Sequence, residues 1–194
     1  MVQEPGGQAL PARLVMDTLV SIEFVGADER HDAGDAIERA FGWFYEVERR
    51  CSRFDPSSEL RSLSDHVGEA VTVSGLLYQV VEFALAVAEA SAGAFDPTVG
   101  GLLAANGFDR NYETGEQYGG DPGAGVTYKD VRLDPNEHTI SLLRPLTLDL
   151  GAVAKGFAMD LAAAELKGFA HFAINAGGDL FLRGRNSEGE PWGV

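Results

Sequence analysis

The run Leu148-Asp149-Leu150-Gly151-Ala152-Val153-Ala154-Lys155-Gly156-Phe157-Ala158-Met159-Asp160 leaves the backbone few choices. A short apolar strand ends in an acid among apolar neighbours. A turn of small residues follows, and Lys155 stands where a helix is predicted to begin. The layout sets one acid, one base and several free backbone N–H groups about one point, which suits a phosphate and a divalent cation. Two other small-residue segments keep it company: Gly93-Ala94-Phe95-Asp96-Pro97-Thr98-Val99-Gly100 upstream and Asn175-Ala176-Gly177-Gly178-Asp179 downstream.

The chain has 194 residues, enough for one sizeable domain, and its 45% hydrophobic content predicts a folded core. Against 15 Lys and Arg stand 30 Asp and Glu, a net charge of -15. An acidic surface of this kind argues against nucleic acid and against anionic membranes as partners. A phosphate-ester substrate would need a local Lys or a metal to overcome that field. The single cysteine, Cys51, excludes an internal disulfide and a multi-thiolate metal site within one chain. It continues the apolar helical face of Ile37, Phe41, Phe44 and Val47, so a packed core thiol is expected rather than a nucleophile. No apolar stretch is long enough for a transmembrane segment. The opening Met1 to Gly7 has no basic or apolar leader region, which predicts no signal peptide and a cytoplasmic location.

Leu14 to Phe24 reads as one strand, with Met16, Val20, Ile22 and Phe24 on the buried face and Asp17 on the other. Asp32 and Asp35 open a helix that fades near Arg50 to Arg53. Asp55-Pro56-Ser57-Ser58 reads as a turn or a short helix entry, and Val71 to Val73 as a brief strand. Ser74 caps a helix running to about Ser91, with Leu76, Leu77, Val80, Val81, Ala84, Leu85 and Ala88 as its stripe and Gly93 as its stop. Asp109 to Gly125 reads as a surface loop. Strands are predicted at Val131–Leu133, Thr139–Leu142, Leu146–Leu148, Phe172–Asn175, Asp179–Arg183 and Trp192–Val194, and a helix over Lys155–Leu166. Strands broken by a few helices, with hairpin-like links, point to an α+β fold. The end falls inside a predicted strand, so a C-terminal portion is expected to be missing.

Each motif has a plain structural reading beside its chemical one. Asp96 either caps its own turn or grips a polar ligand edge. Asp149 either caps a helix beside a solvated Lys155, or the two hold a phosphate against small residues that admit close backbone approach. A carbonyl of that turn could join a magnesium shell. Gly177-Gly178 is a turn, or a place where a ligand nears the backbone. His31, His66, His138 and His171 show no ligand spacing, and none is assigned a role.

Taken together, the segments resemble the ApbE family of FAD:protein FMN transferases, once called thiamine biosynthesis lipoproteins. The matching features are Met16-Asp17-Thr18, Cys51 to Leu60 with its Ser52-Arg53-Phe54 start, Gly93 to Gly100, Asp149 to Asp160, and Asn175 to Asp179. Five ordered motifs are far more specific than any one. The resemblance implies a T-fold-like α+β domain over residues 14–194, of mixed, largely antiparallel sheets with packed helices, after a flexible 1–13. It implies magnesium-dependent transfer of FMN from FAD to a Thr or Ser hydroxyl of an acceptor protein, with release of AMP. Carried over, Met16, Phe54, Ala94, Phe95, Asp96, Asp149 and Lys155 would contact FAD, and the Ala152 carbonyl would be one magnesium ligand. The remaining magnesium ligands and a His base belong to a later family motif outside this sequence. The first-strand Gly usual in the family is Asp17 here. The competing expectations are a module that binds FAD without turnover and a metal-dependent FAD pyrophosphatase giving FMN and AMP.

Overall fold

The computed structural model describes residues 10–25, 32–110, 115, 117, 123 and 125–193. Its elements are β1 (Ala12–Val15), β2 (Thr18–Phe24), α1 (Ala33–Cys51), α2 (Glu59–Leu63), β3 (Val71–Thr72), α3 (Gly75–Ala90) and α4 (Gly100–Ala105), then β4 (Val131–Asp134), β5 (Thr139–Leu142), α5 (Gly151–Glu165), β6 (Phe172–Ala176) and β7 (Asp179–Arg183). The chain divides into two compact units, residues 1–46 with 155–194 and residues 47–154. No helix among the described residues is long and apolar enough to cross a membrane.

The first unit is built on an antiparallel sheet of order β1-β2-β6-β7. The register sets Val20 opposite Ala176 and Ile22 opposite Ile174. These four, with Phe172, are fully buried. Each large one contributes about 1.5–3 kcal/mol by leaving water. Phe24 closes the corner, its ring 4.6 Å from that of Phe169 and 6.1 Å from that of Phe172. Helix α1 buries Ala36, Ala40, Phe41 and Phe44 at helical spacing, while Ile37 of the predicted face is only half-buried. The Arg13 guanidinium of β1 lies 5.1 Å over the Phe41 ring and pairs with Glu38 at 2.7 Å. Glu165 of α5 accepts from Trp43 Nε1 at 3.1 Å and Arg39 Nε at 3.3 Å.

The predicted single strand from Leu14 to Phe24 is a hairpin. Met16 and Asp17 form its two-residue turn with φ of 54° and 55°, both left-handed. Two positive φ values match the right-handed twist of the flanking strands, which is why such turns join hairpins. Val15, not Met16, takes the buried position, and alternation resumes from Thr18. Strand β1 begins at Ala12, two residues ahead of the expected domain start.

The second unit holds the antiparallel sheet β3-β5-β4 with α2, α3 and α4. Ile140 and Leu142 of β5 are buried, as are Leu77, Val80, Val81, Ala84 and Ala88 of α3. The Ser74 hydroxyl accepts from Leu77 N at 3.2 Å, the predicted cap, and Ser58 caps α2 in the same way through Arg61 N. Glu59 ties three elements: it pairs with Arg50 at the end of α1 and accepts from the Ser74 amide at 3.0 Å. Burial works against the charge on Glu59, but the Ser74 hydrogen bonds and Arg50 outweigh it and hold the carboxyl below its usual range. Cys51 is buried, and burial, aided by Glu59, pushes its thiol up to about 12. That fits a core thiol and not a nucleophile.

Three boundaries differ from expectation. Helix α5 begins at Gly151 rather than Lys155, so the small residues read as a turn are its first turn. Leu146–Leu148 is no strand: Thr147 makes one parallel bridge, to Val99. Trp192 and Gly193 are irregular, with Trp192 Nε1 donating to the Arg183 carbonyl at 3.1 Å. Most of the predicted loop from Asp109 to Gly125, and His31, lie outside the described residues.

Candidate functional site

In the second unit the segment around Asp96 and the segment ending in Asp149 run side by side. Asp149 N donates to the Pro97 carbonyl at 2.8 Å and Gly100 N to the Thr147 carbonyl at 3.0 Å. A Cβ on Gly100 would lie 2.6 Å from that same Thr147 oxygen, so only glycine permits the approach. Two motifs that lie far apart in the chain therefore share one wall.

Asp96 is engaged by its own surroundings. Oδ1 accepts from Thr98 N at 2.9 Å and from Thr98 Oγ1 at 2.7 Å, and Oδ2 accepts from Tyr128 N at 3.0 Å. The Tyr128 amide opens the 3₁₀ turn Tyr128–Asp130. The carboxylate thus shapes the loop whatever else it contacts. Ser91 Oγ accepts from Phe95 N at 3.1 Å, which fixes the backbone just ahead. Ala94 is exposed and Phe95 half-buried, so this loop backbone is open to a ligand.

Asp149 is held at both oxygens. Oδ1 accepts from Gly151 N at 2.8 Å, at the start of α5. Oδ2 lies 2.5 Å from Arg53 Nε. That N–H is not directed at the oxygen, so the contact is an ion pair without an aligned hydrogen bond. The Arg53 guanidinium also lies 4.0 Å from the Phe54 ring centroid, and its Nη2 donates to the Phe108 carbonyl at 2.7 Å. The Arg53 and Asp149 side chains are 9% and 17% exposed, which puts this pair largely out of water. The sequence offered no signal for it: Arg53 sits inside a recognised motif, but its partner is brought by the fold.

In the first unit the remaining motifs meet at one end of the sheet. The Met16-Asp17 turn and the Gly177-Gly178 turn of the β6–β7 hairpin are neighbours, with Gly177 N donating to the Leu19 carbonyl at 3.2 Å. A Cβ on Gly177 would fall 2.1 Å from Thr18 Oγ1, and its φ is +65°. Asn175 Oδ1 accepts from Gly178 N at 2.9 Å and closes that turn. Lys155 Nζ lies 2.6 Å from Asp179 Oδ2, with side-chain exposures of 31% and 61%. Met16 is half-buried in its turn. Thus Lys155 has Asp179 as a partner within this unit.

The Ala152 carbonyl belongs to the first turn of α5, and Ala152 is exposed. Within the helical ladder such an oxygen keeps one lone pair. Magnesium demands six oxygens, commonly one or two carboxylates with waters and phosphates. Among the described residues no three His, Cys, Asp or Glu side chains come together as a metal cluster. One carbonyl is not such a set, so the described residues do not fit a complete magnesium site. His66 Nδ1 meets the Ser62 carbonyl, the His138 ring meets the Tyr78 ring edge-on, and His171 Nδ1 accepts from Arg185 N.

The chain is similar to known proteins in sequence and in fold. The chain is 27% identical to an FAD:protein FMN transferase of Haemophilus influenzae, over 87% of this chain and 50% of that protein. It is 30% identical to one of Treponema pallidum, over 89% of this chain and 51% of that protein. The chain thus spans about half the length of these curated relatives. Its fold matches the flavin transferase ApbE of Vibrio cholerae with a TM-score of 0.82 at 26% identity, covering 97% of this chain and 63% of that one. An ApbE protein of Thermotoga maritima matches with a TM-score of 0.75 at 27% identity, covering 94% and 60%. The α+β architecture with antiparallel sheets is that of ApbE proteins. The family model spans residues 16–194, from the hairpin turn onward, and the chain belongs to the ApbE family.

Proposed function

We propose that this chain acts as a flavin transferase that takes FAD and passes FMN to a Thr or Ser hydroxyl of an acceptor protein, releasing AMP. The observation that carries the reading is the shared wall of the second unit, where Asp149 N bonds the Pro97 carbonyl and Gly100 is pressed on Thr147. It sets an exposed loop backbone beside a fixed carboxylate, the kind of surface a nucleotide edge can dock on. The names of the curated relatives supply the reaction class.

In the proposed step the acceptor hydroxyl oxygen bonds to the phosphorus of the FMN phosphate. The bond from that phosphorus to the oxygen shared with the AMP phosphate breaks, and AMP leaves with the electron pair. The hydroxyl proton passes to a base outside the described residues. Lys155 offers a compact positive charge to the diphosphate, held in place by Asp179. Phe54 presents an aromatic face to the nucleotide, backed by the Arg53 guanidinium. Ala94, Phe95 and Asp96 position the nucleotide through the loop, and Met16 is a further residue that the family resemblance assigns to FAD. The reading carries a magnesium requirement with the Ala152 carbonyl as one ligand, and no step above is routed through the ion.

A second reading, a module that holds FAD without turning it over, is favoured by the described residues, which bring no three metal-ligating side chains together. One experiment separates them. The chain is incubated with FAD, magnesium and a Thr-containing acceptor domain, and products are followed by chromatography and mass. FMN on the acceptor supports the transferase, and intact bound FAD supports the module. Free FMN and AMP without an acceptor would replace both with a pyrophosphatase.

A further inference from the structure

We propose that Arg53 is the positioning residue of the flavin-nucleotide surface, locking Asp149 and Phe54 into one arrangement. The proposal rests on the reading of that surface as an FAD site.

A guanidinium is flat: its edge carries directed donors and its faces stack on aromatic rings. Arg53 uses both. Nε pairs with Asp149 Oδ2 at 2.5 Å as an ion pair, a terminal nitrogen donates to the Phe108 carbonyl at 2.7 Å, and the central carbon lies over the Phe54 ring, 4.0 Å from its centroid. Arg53 thereby joins two residues that the family resemblance places against FAD. Because the Arg53 side chain is only 9% exposed, the field it exerts on Asp149 is poorly screened. The other Asp149 oxygen is taken by the Gly151 amide, and Arg53 is the cation that meets the second oxygen. A lysine would keep the charge but lose the stacking plane and the fork.

The test is FAD binding by the full 194-residue chain, titrated with magnesium present and read by flavin fluorescence, for wild type, Arg53→Met, Arg53→Lys, Asp149→Asn and the double change Arg53→Met with Asp149→Asn. Thermal melting of each variant is recorded alongside. If Arg53 acts through Asp149, Arg53→Met weakens FAD binding about tenfold in the wild-type background and less than about twofold once Asp149 is Asn. Arg53→Lys falls between wild type and Arg53→Met. An equal loss in both backgrounds, or unchanged affinity in a less stable Arg53→Met protein, overturns the proposal and leaves the FAD site standing. Arg53→Lys matching wild type overturns it too. A wild-type chain that does not bind FAD overturns the site itself. Should Arg53→Met fail to fold, Arg53→Lys in the two Asp149 backgrounds carries the same comparison.

Discussion

The two units each hold one acid–base pair from the family motifs, and the pairs are built differently. Arg53 and Asp149 are 9% and 17% exposed, and their groups are further held by Phe54, Phe108 and Gly151. Lys155 and Asp179 are 31% and 61% exposed and meet through one contact. A buried pair is strained by the loss of either member, because the survivor stays charged and unsolvated. An exposed pair exchanges its partner readily, since water and salt already screen it. The first pair therefore belongs to the frame, and the second is the one whose partners water and salt can replace. Charge in the same family pattern serves rigidity in one unit and exchange in the other.

The sharpest break of this contrast is Arg53→Met, expected to lower stability by about 3–5 kcal/mol in denaturant titration, the usual cost of stranding a buried charge. A change as small as that of a surface pair would erase the distinction. Gly177→Ala follows at about 1–2 kcal/mol, because an L-residue must adopt the left-handed region and its Cβ meets Thr18. A neutral result in thermal melting would show that the two turns are not held in register. Asp17→Gly is expected to stabilise by about 1 kcal/mol, since glycine enters the left-handed region without cost. Lys155→Ala should change stability by less than about 1 kcal/mol yet lower FAD turnover more than FAD affinity. Loss of affinity alone would deny it a role at the transferring phosphate.

The smallest effect concerns pH. The Glu59 carboxyl is held below its usual range in the folded chain, so its ionised form favours folding. That contribution is present above the unfolded carboxylate value and is lost as pH falls through the lowered folded one. Glu59→Gln should flatten the acid limb of a stability–pH curve, and an unchanged limb would place the sensitivity elsewhere.

Much of the fold was legible where local chemistry decides it. The stripe and cap of α3 follow from apolar spacing and from Ser74, and β7 has the predicted span Asp179–Arg183. The Met16-Asp17 turn was not legible, because neither residue is a usual hairpin signal and the apolar alternation runs on through it. The start of α5 was misplaced because Gly151 and Ala152 are too small to show an apolar face. Of the site, the motif positions could be read, but their partners could not. Arg53 reaches Asp149, and Asp96 reaches Tyr128, only through contacts between segments far apart in the chain. The register that brings Thr18 against Gly177 is likewise a property of the sheet.

Cys51, buried and with its thiol pushed up to about 12, makes this chain behave toward alkylating reagents as if it contained no cysteine. A cysteine introduced at an exposed position such as Leu180 or Leu102 would then react alone. A fluorophore or spin label could be set at a chosen point without first removing the native thiol, and motion within either unit followed from that single reporter.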